Sequence, residues 1–162
     1  MKSVLISIHP KWVHKILDGK KTIEVRKTRP KIETPFKCYI YMTAGSRAWS
    51  DSPADIPDGW RKNSLGASRM VVAEFTCDRI DPIRVFNNGT IQNWNFYNLE
   101  NSCVPYDDVV AYIGNNRNGY GWNISDLKIY DKPKMLSDFG MKRPPQSWCY
   151  VEDMERGGEV HD

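Results

Sequence analysis

The chain has 162 residues, 40% of them apolar, enough for one ordinary hydrophobic core and too few for several. No run of about 18 apolar residues occurs, which excludes a helical membrane span. The net charge of +3 conceals an asymmetry: residues 1–37 hold ten Lys or Arg against three acids, and the remainder holds 13 against 17.

In chain order, residues 4–8 read as a short apolar strand, too quickly interrupted by Pro10 to be a secretory signal. A helix follows with Pro10 in its first turn, where proline is tolerated, and with Val13, Ile16 and Leu17 at helical spacing. Trp12 lies beside Val13 and Ile16 on the wheel, as core packing or as a rim aromatic, with the core preferred. Gly19 is placed to end the helix in the left-handed conformation, which presents Lys20 and Lys21 at a turn.

Residues 22–26 form the next strand. Side chains alternate across a strand, so Ile23 and Val25 share one face, while Thr22, Glu24 and Arg26 share the other. A hydroxyl, a carboxylate and a guanidinium in a row are either a solvated face, the commoner arrangement for a charged strand, or a site for something anionic and polar, to which the basic amino-terminal quarter adds weight.

Residues 27–35 are basic and contain two prolines, as a loop does. A strand over 37–43 alternates Tyr39, Tyr41 and Thr43 against Cys38, Ile40 and Met42. Residues 44–67 are rich in Gly, Ser, Pro and Asp and carry Trp49 and Trp60; they are expected to form a surface loop, a cleft lid or a partner-binding insert. Residues 70–77 read as an interior strand, and 79–86 as its continuation or a bulge interrupted at Pro82. A turn is expected at 87–89. Residues 91–104 have no clear period and receive no element.

Residues 105–113 read as a helix, with Asp107 and Asp108 in the first turn where the helix dipole favours them, and Gly114 beyond its end. A turn over 115–121, a strand pair over 122–130, a helical turn within 133–139 and a last strand over 147–151 complete the domain, which spans 1–151. The acidic stretch 152–162 is expected to be a disordered tail. Strands without regular strand–helix alternation indicate a small α+β barrel.

The four cysteines are far apart and the three histidines form no cluster of metal spacing, so no metal, no cofactor and a set of reduced thiols in a cytoplasmic protein are expected.

The spacing Gly19, Lys21, Glu24, Arg26 resembles the G-x-K-x-x-E-x-R signature of the ASCH domain, a branch of the PUA-like superfamily. The preceding VLISIHPKWVHKIL is similar to the strand and helix that lead into that signature. Later, GYGWNISDLKIYDKPKMLSDF and RPPQSWCYVE resemble the carboxyl half of ASCH proteins of bacteria and their prophages; only the stretch around 45–68 does not.

The resemblance implies a PUA-like mixed β-barrel of about five or six strands, with helices flanking a cleft. It also implies a binder of RNA, a nucleotide or a modified nucleobase, with Lys20, Lys21, Thr22, Glu24 and Arg26 in the site and Tyr41, Trp122 and Trp148 as stacking surfaces. A family branch that hydrolyses acylated cytidine carries Thr where this chain has Glu24. An enzymatic alternative therefore makes Lys21 and Glu24 the acid–base pair of a small metal-independent hydrolase or ribonuclease. A third alternative is a protein-interaction module working through residues 44–67.

Overall fold

A computed structural model describes residues 2–44 and 67–153. Most of the 44–67 insert, Trp49 and Trp60 included, and all but the first two residues of the acidic tail lie outside the described residues.

Among the described residues, seven strands and two principal helices emerge in the order β1 (Lys2–Ile8), α1 (Pro10–Leu17), β2 (Ile23–Arg26), β3 (Phe36–Met42), β4 (Met70–Val85), β5 (Ile91–Gln92), α2 (Phe96–Ser102), α3 (Tyr106–Ile113), β6 (Arg117–Lys134) and β7 (Trp148–Glu152), with the short helix α2 between the main two and a 3-10 turn at Leu136–Phe139. They form one mixed sheet in the order β2-β6-β4-β3-β1-β7, and the two-residue β5 pairs with β4. β1 and β3 are parallel, whereas the other ladders are antiparallel. The fold is thus α+β, with six strands on the main path. No ladder joins β2 to β7 among the described residues, so the hydrogen-bonded path is open.

Alternation along β1 sends apolar side chains to both of its faces. Val4, Ile6 and Ile8 join Val13 and Ile16 of α1 and the inner residues of β3 and β4 in the main core, while Leu5 packs with Tyr39, Tyr41 and Val71 on the opposite side. A third cluster gathers Ile23 and Val25 of β2 with Ile83, Val85, Trp94 and the α3 residues Val109 and Ile113. That cluster fixes β2 by its apolar face and leaves its polar face turned the other way.

Two expectations change here. β4 runs through Pro82, because β3 pairs with only its first half and the ladder to β6 lies on the other side of the proline, where a missing N–H costs nothing. β6 begins at Arg117, so the anticipated turn over 115–121 is mostly strand. The glycines that suggest a turn serve close packing: a side chain at Gly119 would meet Ile113 Cδ1 at 2.5 Å, and one at Gly121 would meet Trp94 Cζ2 at 2.8 Å. The unassigned 91–104 contains β5 and α2.

The four thiols are free. Burial pushes the Cys38 thiol well up and that of Cys77 up to about 12, so the two core cysteines are inert. No described helix is long and apolar enough to cross a membrane.

Candidate functional site

The polar face of β2 is positioned from both ends. Before it, α1 closes at Asp18 and Gly19 (φ +77°), and the backbone N–H groups of Lys20 and Lys21 both donate to Lys15 O at 3.0 Å, which turns the chain sharply into the motif. After that turn, Thr22 N–H donates to Asn101 O at 2.8 Å and fastens the strand to the end of α2. On its other edge β2 pairs with β6, with Glu24 opposite Trp122 and Arg26 opposite Tyr120.

Lys21, Glu24 and Arg26 then form a buried ionic set, exposed by only 1%, 5% and 9%. Glu24 Oε2 accepts from Arg26 Nη2 at 2.7 Å and Nε at 3.0 Å, and Oε1 lies 3.2 Å from Lys21 Nζ. Lys21 Nζ also donates to Ser102 O at 2.6 Å. Arg26 continues outward: Nη2 donates to Ser7 O at 2.7 Å, and Nη1 donates to Ser147 Oγ at 3.1 Å and to Ser147 O at 3.4 Å. The guanidinium thereby links β2, the end of β1 and the residue just before β7.

Burial alone would raise the Glu24 carboxyl, but Arg26 and Lys21 outweigh it and hold the group below its ordinary 4.5. Burial lowers Lys21 from its ordinary value, opposed by Glu24. A carboxylate lowered in the folded state stabilises the protein above its unfolded value and stops doing so as pH falls through the folded one. Stability is therefore expected to decline below about pH 4.5, with Glu24→Gln showing a shallower decline in urea melts over that acid range. Parallel slopes for the two proteins would refute this.

The set opens onto a hollow of about 750 Å³. One wall is β2 with Lys21, Glu24, Arg26 and the adjoining Lys27 and Thr28; α1 contributes Trp12, and α3 contributes Asp108, Val109 and Tyr112. Three cations face two carboxylates, so the interior keeps a positive balance. Two aromatic rings line it from different helices. Trp12 is partly buried with Lys21 Nζ 5.0 Å and Lys11 Nζ 4.8 Å from its centre, and Tyr112 is 42% exposed with Lys27 Nζ 5.0 Å from its ring. Every N–H of Arg26 already has an acceptor, so Lys27 and the remaining proton of Lys21 are the cations better placed to take a new anion.

Of the residues expected from the sequence, Lys21, Glu24 and Arg26 line the hollow together. Lys20 is exposed outside the lining, and Thr22 Oγ1 pairs with Asn101 Oδ1 at 3.3 Å instead. Tyr41 is buried in the cluster on the far side of the sheet. Trp122 has no exposed surface, and its Nε1–H donates to Thr28 O at 3.3 Å; Trp148, half-buried, donates to Thr28 Oγ1 at 2.9 Å. These two indoles stack edge to face 6.0 Å apart and hold the Thr28 rim from behind, offering the hollow no ring face.

Tyr112 and Ser147 carry no site signal in the sequence, and Asp108 carries only that of an acid in a helix's first turn, since each reaches the hollow only through long-range packing. Trp12 does both things open to it: it packs partly buried against the main core and its ring lines the hollow, beside Lys11 just before it and Lys15 one helical turn on.

The ASCH domain family model matches residues 6–41, which include the motif and the strands and helix around it. Over its whole length the chain is similar to the crystal structure of the ASCH protein of Zymomonas mobilis, with a TM-score of 0.65 at 18% identity, covering 98% of this chain and 94% of that one. A tyrosine-to-phenylalanine variant of the same protein superposes with a TM-score of 0.65 at 18% identity, over 99% and 98% of the two chains. No curated protein matches the sequence.

Proposed function

We propose that this ASCH domain protein binds a nucleotide, a modified nucleobase or a base within RNA in the hollow beside Lys21, Glu24 and Arg26, as a binding or regulatory module. One observation carries the reading: a buried, net positive ionic set opens into a space of nucleotide size that has an aromatic ring on each of two walls. Lys21 and Lys27 meet the anionic part, Trp12 or Tyr112 meets a base face, and Asp108 and Gln146 supply edge contacts. The same reading makes the sheet a PUA-like barrel whose seam between β2 and β7 is closed by the Arg26 side chain instead of a ladder.

Lys21→Met keeps the apolar stem and removes the ammonium. It is expected to weaken binding of nucleoside monophosphates by about tenfold or more, the worth of a charge-assisted contact, as read by calorimetric titration across the common bases and acetylated cytidine. Unchanged affinity in a folded Lys21→Met protein would sink the proposal.

The 3.2 Å contact of Lys21 with Glu24 at the wall of the hollow supports a second reading, a small hydrolase or ribonuclease with these two residues as its acid–base pair. Glu24 is a weak partner in that pair, because both of its oxygens are engaged and its proton affinity is reduced. Assaying the titration panel for hydrolysis separates the two readings.

A further inference from the structure

The most exposed large apolar side chains among the described residues are Phe96 and Tyr97, at 78% and 67%. They stand side by side in the first turn of α2, and that turn is held firmly: Asn95 Oδ1 accepts from Asn98 N–H and Asn98 Oδ1 accepts from Asn95 N–H, both at 3.0 Å. Two aromatic rings displayed on a fixed backbone and left out of every core cluster form a surface for contact, not a misplaced part of the interior.

Their position relative to the hollow gives that surface a direction. The far end of α2 is bound to the motif strand through Asn101, which takes the Thr22 backbone N–H and hydroxyl, and through Ser102 O, which takes Lys21 Nζ. Asn101 Nδ2 donates back to Tyr97 O at 2.8 Å, and Tyr97 lies about 7.5 Å along the helix from Ser102, whose carbonyl holds the Lys21 ammonium that lines the hollow. Lys20 is exposed at the same junction. An exposed ammonium on the turn before β2 and two flat rings on α2 therefore flank the contact by which Ser102 holds Lys21 at the hollow.

Given the nucleotide-binding reading, on which this step rests, we infer that α2 is a second stacking platform and that the ligand is a single-stranded polynucleotide, one base of which occupies the hollow while its neighbours stack on Tyr97 and Phe96. Successive bases stacking on aromatic side chains beside a cation is the common arrangement for unpaired strands, and it tolerates many sequences because every base has a flat face. A free mononucleotide would not reach α2.

Fluorescence and calorimetric titrations of the full chain with cytidine 5′-monophosphate and with a pyrimidine RNA of about eight nucleotides test this. The wild type should bind the RNA about tenfold or more tightly than the monophosphate. The double variant Phe96→Ala/Tyr97→Ala should lose that excess and keep its monophosphate affinity within about twofold, and Phe96→Tyr/Tyr97→Phe should retain the excess. Both rings are exposed, so the fold should survive, as circular dichroism will verify. An excess that persists in the double alanine variant, or a wild type without one, overturns the inference. A wild type that binds no monophosphate but holds RNA in a manner sensitive to the two rings would instead remove the hollow from the reading and leave α2 standing.

Discussion

Glu24→Ala is expected to lower the free energy of unfolding by about 3–5 kcal/mol, the typical cost of removing one member of a buried ion pair. The carboxylate is the only acidic group in the set, and its two oxygens receive three N–H donors from Lys21 and Arg26. Without it two cations remain in a space exposed by less than a tenth. Lys21 can shed its proton, a change that burial already favours, but Arg26 cannot. The guanidinium would have to swing out, releasing Ser7 and Ser147 with it. For a domain of this size the melting temperature should fall by roughly 10 °C, whereas Glu24→Gln, which keeps an acceptor, should lose less. A melt within a degree or two of the wild type would show that the carboxylate is not what holds the set together.

Trp122→Ala should cost a similar amount, about 3–5 kcal/mol, for a different reason. The indole is the largest fully buried side chain among the described residues; it packs edge to face on Phe36 at 5.9 Å and on Trp148 at 6.0 Å. Truncation leaves a cavity where β2, β6 and the Thr28 segment meet and also removes the bond to Thr28 O. Trp122→Phe separates the two contributions, since it fills most of the space and forfeits only the hydrogen bond, worth about 1 kcal/mol. Urea midpoints of both variants check the prediction. If Trp122→Ala were nearly as stable as the wild type yet failed to bind nucleotides, the residue would serve a ligand directly and its enclosure would be unimportant.

The part of the fold nearest the motif was legible because its signals are local. Alternation in IEVR, helical spacing in α1 and a glycine beyond it place Glu24 and Arg26 on one face of the strand and Lys21 at the turn before it without any tertiary contact, whereas the convergence of Lys21 on Glu24 depends on the packing of α2 against that turn. The long strands were harder to read. Gly119, Gly121 and Pro82 suggest breaks when taken alone, and only the approach of Ile113, Trp94 and a one-sided ladder explains why the chain continues through them. α2 was missed because its capping box uses Asn98 where Glu or Gln is the usual signal.

Aromatic residues were the least predictable members of the site. A tryptophan carries the same apolar bulk whether it fills an interior or lines a rim, and the difference lies in what approaches it. Trp122 is enclosed by Phe36 and Trp148, whereas Trp12 stands among three lysines at the edge of the hollow. Sequence gives the ring but not its surroundings.

Arg26 fastens β2 to Ser7 and Ser147 with side-chain bonds alone, where neighbouring strands elsewhere are stitched by backbone ladders. A joint of that kind rests on one residue: shortening Arg26 would part β2 from Ser7 and Ser147 while leaving every backbone ladder, and the Ser7 N–H to Ser147 O bond, in place.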